Sequence, residues 1–215
     1  MRTLVIETAT AACSVALIDD GVVVAAQHVV VGRGHAERLV PMIAQLPDGG
    51  RADRILVDCG PGSFTGVRVG LAAARGLALG WSVPVAGYSS LALVAATAMT
   101  RGGAPEVAAV LEGGHGELFV QMFARPLVPT GSLASLRPDA ALAAIGGRPA
   151  AGNGVRALLA IDPGLPVSDV LPNAAEAVRL PADLADLPPR PIYGRAPDAK
   201  LPGGVTPPAA STTAP

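Results

Sequence analysis

The sequence predicts an α/β protein in two lobes, each a mixed sheet with flanking helices. Three observations carry that reading. A strong hairpin signal, Asp19-Asp20-Gly21, joins two β-rich runs near the start. Strand-like and helix-like segments then alternate, which calls for parallel pairing beside the hairpin. Near Arg101 to Pro105 the texture turns to Gly and Pro, as at a boundary between lobes. The chain has 215 residues, half of them apolar and only 3% aromatic. Val, Leu, Ile and Ala must therefore fill the core, and so much Ala requires backbones to approach closely.

Taken in order, Thr3 to Ile6 is a short apolar strand, and Ala9 to Ala11 break it. Ser14 to Ile18 and Val22 to Val31 are the arms of the hairpin, so the chain opens with a three-stranded antiparallel meander. Gly32 and Gly34 end it. His35 to Leu46 has helical spacing with Leu39, Met42, Ile43 and Leu46 on one side, and Pro41 predicts an early kink or a start near Glu37. Ile55 to Val57 is a buried-type strand, Gly60 to Gly66 a glycine-rich loop, and Val67 to Gly80 a helix. Val83 to Ala86 is a strand and Ser89 to Met99 a helix. Val107 to Leu111 and Leu118 to Phe123 form a second hairpin around Gly113-Gly114. Ala140 to Ile145, Val155 to Ile161 and Ala174 to Val178 read as helices. These elements give lobes over residues 1–100 and 101–200, and a disordered tail over 201–215, rich in Pro, Ala, Ser and Thr.

Bulk properties exclude several functions. A formal net charge of −1, with Lys200 the one lysine, lacks the basic footprint of an autonomous nucleic-acid binder. The opening apolar run is broken by Glu7 and is too short for a secretion signal. No run reaches membrane-spanning length, so the expectation is a cytoplasmic protein with no membrane association. Cys13 and Cys59 lie in apolar strand-like runs and read as buried, reduced thiols.

The loop Gly60-Pro61-Gly62-Ser63-Phe64-Thr65-Gly66 follows a strand and opens a helix. Its glycines could turn backbone amides toward a phosphate, with Gly60, Gly62, Ser63, Thr65 and Gly66 facing it. The P-loop lysine is missing, however, and the competing reading is a structural turn with Ser63 or Thr65 as helix cap. The helix that follows is apolar almost all round; its charges, Arg68 and Arg75, share one face, and Gly66, Gly70 and Ala74 make a small-residue stripe. His28, His35 and His115 lack metal-ligand spacing, and Glu7 alone makes no metal site. No catalytic residue, metal ligand or cofactor is expected on the isolated chain.

The segments Ile6 to Leu17, His35 to Pro41, Gly60 to Leu71, Val83 to Leu91 and Pro191 to Asp198 together resemble the TsaB (YeaZ) family. The resemblance is strong over the first hundred residues and weak after them. It implies a two-lobed actin/sugar-kinase/Hsp70-like (ribonuclease H-like) fold. It also implies a non-catalytic subunit in the synthesis of threonylcarbamoyladenosine, t6A, next to the anticodon of transfer RNA. The partners implied are the catalytic paralogue TsaD, which the chain binds and activates, and the small ATPase TsaE, with tRNA reached only through the complex. The paralogue carries a histidine metal motif after the strand matching Val83 to Ala86, where this chain has Gly87-Tyr88-Ser89-Ser90. The expected docking surface is a joint apolar patch of Leu39, Ile43, Gly70, Ala74 and Leu77, with Arg68 also at the interface, which would support a homodimer when the chain is alone. The alternative is a stand-alone ATPase or small-molecule kinase of the same fold.

Overall fold

A computed structural model describes residues 1–194. Strands β1 (Arg2–Glu7), β2 (Ala12–Asp19) and β3 (Val22–Val30) form the antiparallel meander, turning at Asp20-Gly21, both with positive φ. Helix α1 (His35–Ala44) leads to β4 (Arg54–Asp58), helix α2 (Phe64–Trp81), β5 (Val85–Tyr88) and helix α3 (Ser90–Gly102). Strands β4 and β5 join the meander in parallel, so the first sheet runs β3-β2-β1-β4-β5.

A second sheet is built from β6 (Glu106–Glu112), β7 (Leu118–Ala124), β8 (Val128–Pro129), β9 (Ala134–Leu136), β10 (Ala150–Ala151) and β11 (Val167–Ser168). Its order is β11-β10-β6-β7-β8, with β9 also on β7. Helices α4 (Pro138–Ile145) and α5 (Val155–Leu159) cover one face. Two mixed sheets with flanking helices in this arrangement are the actin/sugar-kinase/Hsp70-like fold.

Side-chain alternation in β1 decides the layering. Leu4 and Ile6 point to the face covered by α1 and α2, where they meet Leu39, Ile43, Leu71 and Ala74. Val5 points to the other face, with Ala16, Leu56, Tyr88 and Leu93 of α3. Helix α3 also sends Leu91, Val94 and Ala95 to the second sheet. It is therefore buried from both sides, as its nearly unbroken apolar sequence requires.

Some expectations are corrected. Helix α1 starts at His35 rather than near Glu37, because Gly34 turns the chain in with φ 94° and Pro41 sits on the exposed side. Helix α2 starts three residues before Val67, since Ser63 caps it. Ala174–Arg179 is a 3-10 segment rather than an α-helix. From there residues 173–194 run back over the first sheet. Ala174 N–H donates to Ser14 Oγ at 3.0 Å, Leu187 pairs with Gly87, and Ile192 N–H donates to Cys59 O at 2.8 Å. Four arginines hold this strap: Arg101 on the Glu176 carboxylate at 2.8 Å, Arg54 on Ala185 O, Arg75 on Pro189 O at 2.7 Å, and Arg68 on the Tyr193 hydroxyl at 3.1 Å. The tail expected over 201–215 lies outside the described residues.

Candidate functional site

The glycine-rich loop lies against the turn between β1 and β2. Ser63 N–H donates to Ala9 O at 2.6 Å, and Ser63 Oγ accepts from Gly66 N–H at 3.2 Å as the cap of α2. The glycines are required by close approach. A Cβ on Gly62 would stand 2.1 Å from Ala9 O, and one on Gly70 2.4 Å from Thr8 Oγ1. Their first task is thus to let α2 settle on the β1–β2 turn. Ser63 and Thr65 are solvent-exposed; Gly60 and Gly66 are buried.

A cleft of about 500 Å³ opens beside this loop, lined among others by Thr10, Ser63, Phe64, Glu112, Asn153 and Tyr193. Arg68, on its wall, is the cation best placed for an anion there. Its guanidinium lies 3.2 Å from the Phe64 ring centroid and donates to Phe64 O and the Tyr193 hydroxyl. Asn153 is tied to Glu112 through both its amide atoms. Among the described residues no three His, Cys, Asp or Glu side chains come together as a metal site.

Below the loop the structure assembles a carboxyl pair that sequence reading missed. Glu7 and Asp58 are both fully buried. Glu7 Oε1 accepts from Ala9 N–H at 2.9 Å, and its Oε2 lies 3.0 Å from the Tyr88 hydroxyl and 3.1 Å from Ser90 Oγ. Asp58 Oδ2 accepts from Thr8 N–H at 2.7 Å and Thr8 Oγ1 at 3.0 Å. Asp58 Oδ1 has no hydrogen bond of good geometry, although the Gly60 N–H lies near enough to favour the charged form. Burial, then the charge of Asp58, holds the Glu7 carboxyl well above the usual range. Burial likewise raises Asp58 to about 7. Both residues stand 51 positions apart at the ends of adjacent parallel strands, and only the strand pairing reveals their proximity.

The remaining titratable candidates are structural. His35 is buried with Nε2 at 2.9 Å from Thr10 O, while His28 lies exposed on β3. Burial pushes the Cys13 and Cys59 thiols up to about 11.

The expected docking patch is corrected. Leu39, Ile43, Gly70 and Ala74 are buried inside the chain, and only Arg68 and Leu77 are partly exposed. The Gly66–Gly70–Ala74 stripe faces β1 and β4, because that is the side on which α2 needs close approach. A second stripe at the same fourfold spacing faces outward: Ala72, Gly76 and Gly80, beside Leu79 at 84% exposure. Nothing stands within 4 Å of a Cβ placed on Gly76 or Gly80. On α1 the exposed residues include Ala36, Val40, Pro41 and Ala44.

Residues 24–126 match the family model described as TsaD, tRNA N6-adenosine threonylcarbamoyltransferase. The chain is 42% identical over 124 residues to the tRNA threonylcarbamoyladenosine biosynthesis protein TsaB of Escherichia coli, covering 55% of this chain and 53% of that one. It thus spans about half the length of that curated relative. An uncharacterized protein of Mycobacterium tuberculosis is 32% identical over 208 residues, 92% of this chain and 93% of that one. Among solved structures, a Pseudomonas aeruginosa protein described as similar to peptidase YeaZ superposes with TM-score 0.78 at 30% identity, covering 90% of this chain and 99% of that one. YeaZ from the same organism superposes with TM-score 0.75 at 28% identity, covering 89% of this chain and 99% of that one.

Proposed function

The chain belongs to the TsaB/YeaZ family, and from that premise we propose that it is a non-catalytic subunit of t6A synthesis that docks on and activates a TsaD-type transferase. The observation that carries the reading is the outward face of α2. Ala72, Gly76 and Gly80 leave a shallow groove beside the exposed Leu79, and Val40 of α1 adds apolar surface at 56% exposure. The transferase family model itself matches residues 24–126, a span that includes both helices. A partner of the same ancestry would present like helices, and small residues on each side permit close helix packing. The partner-facing lobe is residues 1–100. A homodimer through the same face forms when the partner is missing, so the two assemblies exclude each other.

The chemistry of the site supports a scaffold role. The buried carboxyls are turned into the fold, and the thiols lie buried near them, where burial and the carboxylate charges both disfavour the thiolate. We place TsaE and tRNA at the assembled complex rather than on this chain, and the protein in the cytoplasm; no helix among the described residues is long and apolar enough to cross a membrane.

The test is affinity capture of the full chain from its own cell extract, wild type beside Leu79→Asp and Gly76→Glu. The wild type is expected to recover the TsaD-type transferase and both variants to lose it while melting normally. Capture without the transferase, or equal recovery by the variants, rejects the reading. Tight magnesium-dependent ATP binding and turnover by the purified chain would instead favour a stand-alone ATPase or kinase.

A further inference from the structure

We propose that Glu7 and Asp58 hold a single proton between them, resting on Glu7, and that this proton is a pH-sensitive latch joining the end of β1 to β5, α3 and the loop before α2. The argument begins at Tyr88. Its hydroxyl lies 3.0 Å from Ile6 O and 3.0 Å from Glu7 Oε2, and both distances are hydrogen-bonding ones. A tyrosine hydroxyl has one proton to give, and a backbone carbonyl can only accept. If that proton goes to Ile6 O, the second contact needs a proton from Glu7. A neutral Glu7 then satisfies every neighbour: Oε2–H donates to Tyr88, while Oε1 accepts from Ala9 N–H and from Ser90 Oγ at 3.3 Å.

Asp58 is suited to the charge. Its Oδ2 takes the Thr8 N–H, and the Thr8 hydroxyl, which has one proton to give and also lies 2.9 Å from Gly66 O, turns it to Oδ2 when Asp58 carries the charge. The strap reaches the residues beside the pair through backbone, with Leu187 on Gly87 and Pro188 and Ile192 on Cys59. Strand β2 brings the Cys13 thiol, the residue after β4 the Cys59 thiol, β5 the Tyr88 phenol and α3 the Ser90 hydroxyl; α2 brings the backbone of Gly66 and Gly70. His35 is turned to Thr10 O and Ala12 O. Both carboxyls are held above the ordinary carboxylate range, so the folded chain keeps a proton that the unfolded chain releases. The contribution to stability is therefore full below that range and is lost as pH rises through the folded values, around 7 for Asp58 and upward for Glu7. Two charges in one buried site would push β1 and β4 apart beneath the loop.

The experiment uses the full chain with carboxyl-13C glutamate. At pH 7 the infrared spectrum of folded wild type is expected to show a protonated-acid carbonyl band that moves with the label. The band is absent from Glu7→Gln, whose amide reproduces the donor to Tyr88. Chemical denaturation from pH 5 to 8 is expected to raise the wild-type unfolding constant, up to about tenfold per unit for one retained proton. Glu7→Gln is expected to keep the part of that slope that Asp58 carries below about pH 7 and to lose the part above it. No labelled acid band in wild type at pH 7, or its persistence in Glu7→Gln, overturns the proposal, as do parallel pH profiles. Should Glu7→Gln fail to fold, the labelled band of the wild type decides alone.

Discussion

Gly66 rests directly on Thr8: a Cβ on Gly66 would stand 2.1 Å from the Thr8 carbonyl oxygen. This contact sets how near α2 approaches β1, and it explains a glycine inside a helix that would otherwise favour alanine. Backbone cannot yield to it as a flexible side-chain end would. Gly66→Ala is expected to destabilise the chain by about 3 kcal/mol or more, at the upper end of overpacking effects. Gly76 is the control, since its Cβ position is open. Gly76→Ala is expected to stabilise by about 0.5–1 kcal/mol through helix propensity. Urea titrations of both variants, compared with wild type at constant slope, check the opposite signs.

Ala74 and Leu79 separate the inside of α2 from its outside. Ala74 is fully buried and Leu79 is 84% exposed, five positions later. Ala74→Glu is expected to cost several kcal/mol, because it buries a carboxylate with no partner. Against a total stability of about 5–15 kcal/mol, that leaves little folded chain. Leu79→Asp is expected to shift stability by only about 0.5 kcal/mol. Thermal melts followed by circular dichroism test this; equal melts for the two variants would show that the inside and outside of the helix have been misassigned.

The order of elements was legible because the hairpin signal, the glycine-rich loop and the 3.6-residue periodicity are local. The meander, β4, α2, β5 and α3 follow from those signals with shifts of a few residues at their ends. The two-residue strands β8, β10 and β11 were not legible, since so short a run carries no periodicity. The packing direction of α2 failed for a different reason. Both stripes, 66/70/74 and 72/76/80, have small residues at fourfold spacing, and composition alone cannot say which one meets the sheet. The Glu7–Asp58 pair was hidden because it depends on the register of β1 against β4, a contact between distant parts of the chain. The strap of residues 173–194 was hidden likewise. Arg68 and Arg75 were seen to share a face, but what they hold lies more than a hundred residues further on.

Cys59 shows how burial decides reactivity. It sits at the edge of the glycine-rich loop, yet it is fully buried, and desolvation raises its thiol to about 11. Cys13 is raised to about 11 by the same cause. Thiolate being the reactive form, neither side chain is expected to react with a thiol reagent in the folded protein at pH 8. Both should react at once in denaturant. A stoichiometric reaction of the native chain would show that the strap over Cys59 opens readily.

The nucleotide question turns on what the loop has left to offer an anion. Ser63 N–H is committed to Ala9 O, Gly66 N–H to Ser63 Oγ, and Gly62 and Gly66 are pressed on the β1–β2 turn. The cation at the cleft, Arg68, is held over Phe64 and against Tyr193. A phosphate drawn to Arg68 or to the Ser63 and Gly66 amides would have to break those contacts and replace them with bonds of similar strength. Net charge adds no long-range attraction, being −1 over the whole chain. Calorimetry of the isolated chain with magnesium and ATP is therefore expected to give weak binding or none. Arg68→Ala should leave that result unchanged, because a scaffold loop loses no ligand when its arginine goes. If wild type binds ATP tightly and Arg68→Ala abolishes it, the loop is a phosphate site and its glycines serve ligand as well as packing.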